Sequence, residues 1–188
     1  MTKQEAIKFD DELKTKLMKV STEFGMDEKT GADIVEHYIM VIPDDDRKGM
    51  IFLGNAAVSY KLGNVRLDLK KAIVAGLELV AAVNHPKNLF NYLQLVIVAA
   101  LFVQKSTGRV IGKPEAYIVY FLHIKNSYKI GIDEDLFVKD FLIWYQNYSG
   151  QVVAEFEIET AINNLYNQKI LDINSGKIYL KEQVIGNI

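Results

Sequence analysis

The side chains with a capacity for chemistry are few in this chain, and they stand far apart. Its three histidines are His37, His85 and His123. None has a second histidine three to five residues away, the spacing that brings two imidazoles onto one helical face around zinc. His37 follows Glu36 in a helical pattern, His85 precedes a proline in a turn, and His123 falls in an aromatic helix. Each reads as a surface or core residue rather than a ligand. There is no cysteine, which removes disulfides, thiolate metal ligands and cysteine nucleophiles together. Asp44, Asp45 and Asp46 set three carboxylates side by side, suitable donors for a hard cation. They lack the spacing of a calcium-binding loop, so a solvated loop is expected. Gly108 to Lys113 brushes a phosphate-loop pattern and fails it. Its glycines are one residue too close, and Pro114 stands where the metal-binding hydroxyl belongs. No nucleophile-elbow serine or dinucleotide glycine pattern is present. The expectation is a non-enzymatic protein with no catalytic residue, metal or cofactor.

The remaining candidates are amides and aromatics near the C-terminus. Residues 155–168 read as an amphipathic helix with Ile158, Ala161, Ile162 and Leu165 inward. Its expected outward face is Thr160, Asn163, Asn164, Asn167 and Gln168, and Asn and Gln can read adenine edges. Lys177 and Lys181 are the cations of the hairpin that follows. Against a DNA reader stand Glu155, Glu157 and Glu159 at the start of the helix. Residues 113–188 hold seven Lys, no Arg and ten acids, a formal −3. The whole chain carries −2 and only three Arg among its 22 basic residues. Duplex affinity comes chiefly from phosphate neutralisation, and Arg is the preferred guanine and phosphate ligand. The helix is therefore expected to face a protein or solvent. Tyr128, in a loop, and Tyr148, beside Ser149-Gly150, are the aromatics expected at the surface, where such rings anchor partners.

The elements that position these residues follow from periodicity and breakers. At 188 residues, 49% hydrophobic and 24% charged, the chain suits one domain or two small ones with a real core. Residues 3–24 form a helix with Phe9, Leu13, Leu17, Val20 and Phe24 in one stripe. Asp27 caps a second helix carrying Ala32, Val35, Tyr38, Ile39 and Ile42, stopped by Pro43. A hairpin is expected at about 57–69, turning on Gly63-Asn64. Two apolar helices then span 69–106, broken at Asn84-His85-Pro86, and serve as the core or as an oligomer interface. Pro114 opens a helix with Tyr117, Tyr120, Phe121 and Ile124. Asp133 caps another with Phe137, Phe141, Trp144, Tyr145 and Tyr148, ended by Ser149-Gly150. Val152-Val153 is a candidate short strand. The helix from Glu155 runs into a hairpin of Leu171 and Ile173 against Ile178 and Leu180, turning on Asn174, Ser175 and Gly176. The longest apolar run, 95–103, is about half of a bilayer crossing, and the N-terminus has no apolar leader, so a cytoplasmic protein is expected.

The order of three helices and a hairpin over residues 114–184 resembles a winged-helix domain, in element order and turn positions only. The expected fold is mainly α (α+β): a helical N-terminal lobe with a small hairpin, 1–112, then a winged-helix-like lobe, 113–188. Winged helices bind DNA in some proteins and proteins in others. Charge favours a protein partner over DNA, and the resemblance implies an accessory subunit of a bacterial or phage assembly, meeting a partner such as a larger ATPase subunit, or a second copy. The alternative is a dimeric winged-helix DNA-binding regulator, to which DNA is a weakly supported partner. No membrane partner is expected.

Overall fold

Seven helices and two three-stranded antiparallel sheets make up the described residues, so the fold is mainly α with a small β part. The structure is a computed structural model and describes residues 1–43, 64–83, 86–106 and 111–186, with the side chains of 80–83 and 86–87 left out. Helix α1 (Lys3–Glu23) opens on a capping box, Thr2 accepting from the Glu5 amide and Glu5 from the Thr2 amide. Helix α2 (Glu28–Tyr38) is capped by Asp27, which accepts from the Lys29 amide. The two pack as a helical pair, burying Leu13 and Leu17 against Ile34 and Val35.

The second helix ends at Tyr38 rather than at Pro43. Ile39–Val41 leaves as strand β1 and pairs antiparallel with β2 (Val65–Leu67). β-Branched Ile39 and Val41 tolerate either state, and strand pairing decides between them. Strand β2 corresponds to the second arm of the hairpin expected at 57–69, whose first arm and Gly63 lie outside the described residues. The partners observed differ from that expectation. One edge of β2 takes β1, and the other takes a strand from the far end of the chain, Val184–Gly186.

Helices α3 (Leu69–Val83) and α4 (Pro86–Val103) follow. Helix α4 is the axis of the molecule, buried on every side from Leu89 to Val103 apart from occasional polar or partly covered positions. It touches α1, α2, α3, β2 and α5 (Lys113–Ile124). Helix α3 is less enclosed than its composition suggests: Leu69, Ala72 and Ile73 are buried, while Val74 and Leu79 are exposed.

After α5 come β3 (Ile132–Asp133), α6 (Glu134–Ser149), α7 (Glu155–Asn167), β4 (Leu171–Asn174), β5 (Lys177–Leu180) and β6 (Val184–Gly186). Pro114 sits in the first turn of α5, Asp133 caps α6 by accepting from Asp135, and α6 stops at left-handed Gly150. The β4–β5 hairpin turns on Ser175 and Gly176, both at positive φ, as a two-residue turn between twisted strands requires. Strand β3 pairs with β5, giving the order β3-β5-β4. Val152-Val153 forms no strand, and Val152 is 83% exposed.

The two halves share one core. Buried residues from Leu13 to Val184 form a continuous cluster. Across it, Gln94 donates to the Ile111 carbonyl at 3.0 Å, and the Lys70 amide donates to the Glu182 carbonyl at 3.1 Å. Strand β6 closes the N-terminal sheet and packs on α4.

Candidate functional site

Helix α7 divides the five residues expected on its outward face. Thr160, Asn163 and Asn167 are exposed, and the Thr160 hydroxyl donates to the Phe156 carbonyl at 2.7 Å. Asn164 is half-buried and donates to the buried Glu115 carboxylate at 3.2 Å. Gln168 is 2% exposed, and its carbonyl accepts from the Gln104 amide. Its own side-chain amide finds no partner in the described chain. The reason is helical phase. Ala161, Leu165 and Gln168 fall on one line, so Gln168 follows the core stripe inward.

The residue that sequence reasoning missed on this face is Phe156. It stands four residues before Thr160 and is 68% exposed. Its signal was readable: two positions before Ile158, it is out of phase with the inward stripe 158-161-162-165. Phe156, Thr160, Asn163 and Asn167 therefore form one outward row, with exposed Val152 just before the helix and Tyr166 beside its end. Glu155, Glu157 and Glu159 are exposed around the ring. Glu157 also accepts from the Ala154 amide at 3.1 Å and so closes the helix start. In the hairpin, Lys177 is exposed with Asp133 and Asn174 as its cross-strand neighbours, and Lys181 is partly covered.

The aromatics gather where α4, α5 and α6 meet. Phe90 stacks on Tyr117 with centroids 3.7 Å apart, Tyr148 stands edge-on to both, and Trp144 stacks behind Tyr148 at 5.0 Å. Tyr148 is 43% exposed, as expected. Burial, then the neighbouring Tyr120, pushes its hydroxyl above the usual tyrosine range. These rings border a notch of about 580 Å³ that Lys113 and Gln151 also line.

Tyr128 behaves differently from the exposed ring expected of its loop. It is half-buried, 2.6 Å from His123 Nδ1, with the Lys70 ammonium 4.7 Å from its ring centre. Lys70 in turn pairs with Glu182 at 2.9 Å. Burial and then Lys70 pull His123 below its ordinary range, while burial and then Glu182 raise Tyr128. A neutral imidazole accepting from a neutral phenol fits both shifts. The group joins α3, α5 and the link to β6, which makes it a seam.

Asp33, Glu36 and His37 bring their ligand atoms within 4.8 Å of one another on α2. This set escapes a search for paired histidines, because two of its members are carboxylates at helical spacing. The Lys14 ammonium pairs with Glu36 and lowers its pKa, occupying the place a cation would take. His85, Asp44 to Asp46 and Gly108 to Val110 lie outside the described residues. Among the described residues no helix is long and apolar enough to cross a membrane. In comparisons with known proteins, the chain matches no family model, no curated protein and no solved structure.

Proposed function

We propose that this chain is a non-enzymatic interaction subunit of a bacterial or phage multi-protein assembly. In this reading the part from α5 onward is a winged-helix-like module that docks a protein partner through the outward face of α7. The order α5-β3-α6-α7-β4-β5, with strands arranged β3-β5-β4, supports the module. The observation that carries the function is Phe156, 68% exposed among Glu155, Glu157 and Glu159. A ring left in water at the exposed start of a helix is the anchor type that protein interfaces favour. Three carboxylates around it repel a phosphate backbone.

The second reading, a DNA-binding regulator, rests on exposed Asn163 and Asn167 lying in one row beside the hairpin. One pair of measurements separates the two. Chemical cross-linking of the tagged chain in its native host, read by mass spectrometry, should join α7 peptides to one recurrent protein. Phe156→Asp should abolish that product at unchanged thermal stability, because the ring is exposed. Fluorescence anisotropy with a mixed-sequence duplex should show no binding from low to physiological salt. Duplex binding that falls steeply with salt and disappears in Asn163→Ala/Asn167→Ala would establish the regulator instead.

A further inference from the structure

We propose that the partner segment docked on α7 is an amphipathic helix whose apolar stripe is bordered by Lys or Arg. The inference rests on the α7 docking reading and names the chemistry of its partner. Charge is unevenly distributed along this chain. Residues 130–168, which include α6 and α7, hold seven acids and one base, Lys139, a formal −6. The whole chain carries −2, so the remainder is +4. All seven acids are exposed, and the ion pairs of the described residues, such as Lys14 with Glu36 and Lys70 with Glu182, include none of them. Their summed field draws a cationic surface to this part of the molecule and repels an anionic one.

Local roles account for part of this charge. Glu157 closes the start of α7 on the Ala154 amide at 3.1 Å, and Glu155 in the first turn complements the helix dipole. Glu159 has neither role. It follows Glu155 by one turn, and a like-charge pair at that spacing disfavours the helix. No Lys or Arg occurs from residue 140 to residue 168 to relieve it. Glu155 and Glu159 run along one side of the row Phe156, Thr160, Asn163 and Asn167. Spacings of three and four make that row a ridge, the shape that the groove of a second helix receives. Phe156 leads the ridge with Val152 before it, both exposed. An apolar stripe on the partner helix covers the ring, and a Lys or Arg at the border of the stripe reaches Glu155 and Glu159. Beside a ring that excludes water, such a pair contributes more than one in open solvent.

Three synthetic peptides test this on the full chain at physiological salt, by fluorescence anisotropy of the labelled peptide. They are a Leu/Lys amphipathic helix, its Leu/Glu version, and a Ser/Lys version that keeps the charge without the apolar stripe. The Leu/Lys helix should bind saturably with a Kd under about 100 μM, and more weakly as salt rises. The other two should bind at least about tenfold more weakly. Phe156→Asp is the decisive variant. It adds a negative charge, so attraction by charge alone would tighten binding, whereas docking of the ring predicts binding about tenfold weaker at an unchanged melting temperature. Glu155→Gln/Glu159→Gln should weaken the Leu/Lys helix about threefold. Glu12→Gln/Glu23→Gln, the same charge change at exposed positions of α1, should leave it intact. The proposal is overturned if the Leu/Lys helix does not saturate below about 1 mM, if either control peptide equals it, or if Phe156→Asp binds as tightly as the parent. It is also overturned, with the docking reading intact, if the protein cross-linked to α7 meets it through an acidic segment. A dimer of this chain in sedimentation, dissolved by Phe156→Asp, overturns it in favour of a second copy. Absence of any α7 cross-link removes the docking reading and the proposal with it.

Discussion

Two residues show how environment overrides residue type. His123 reads in the sequence as one of three isolated histidines, yet it is hydrogen-bonded to Tyr128 at the seam between α3, α5 and the link to β6. Its pKa lies below the ordinary value of 6.5, so the unfolded chain takes up a proton at higher pH than the folded one. His123 therefore contributes stability that is complete above its ordinary value and is lost as pH falls through the lowered one. Urea unfolding from about pH 7.5 to 5.5 should show the parent losing stability more steeply than His123→Gln; parallel slopes would refute the assignment. Gln168 makes the opposite case. Among the described residues its buried side-chain amide has no partner, and an unmade hydrogen bond costs more than an apolar group of similar shape. Gln168→Met should raise stability by about 1 kcal/mol, measured by the same unfolding.

At the scale of elements, the helices were legible and their neighbours were not. Caps at Asp27 and Asp133, the stop at Gly150, and the Ser175-Gly176 turn are local devices whose reach is a few residues. Where a segment's state depends on a distant partner, local reading failed. Ile39–Val41 is a strand because β2 lies beside it, and the two edges of β2 take β1 and β6. Gly31 tests the closeness of one pairing. A Cβ there would stand 2.3 Å from the Leu17 carbonyl oxygen on α1. In an isolated helix Gly→Ala gains about 1 kcal/mol. At this crossing two backbones must part, and overpacking of this kind costs about 1–3 kcal/mol. Gly31→Ala should therefore destabilise the protein despite its better helix propensity, seen as a lower denaturation midpoint.

For the whole molecule, strand β6 ties residues 184–186 to β2 and α4 in the first half of the chain. Val184 is 1% exposed, and Gly186 faces the Val103 carbonyl so closely that a Cβ would stand 1.7 Å from it. Deleting residues 183–188 should cost at least the burial of one valine, about 1.5–3 kcal/mol. It should also remove amide-exchange protection from Val65 and Leu67 on β2. Unchanged exchange there would show that β6 does not hold the sheet. Because one core cluster runs through both halves, Trp144 fluorescence and far-ultraviolet circular dichroism should report one coincident unfolding transition.

By itself, the sequence determined the helices, their caps, the C-terminal hairpin and the net-acidic character of the last two-fifths of the chain. These depend on side-chain periodicity, on backbone preferences a few residues long, and on counted charge, all of which are local or additive. Only the tertiary structure decided which neighbours the strands take. It alone put Gln168 inside, Phe156 outside, and Phe90, Tyr117 and Tyr148 around one notch. Those outcomes depend on distance between residues remote in the chain, and no spacing along the sequence encodes that distance.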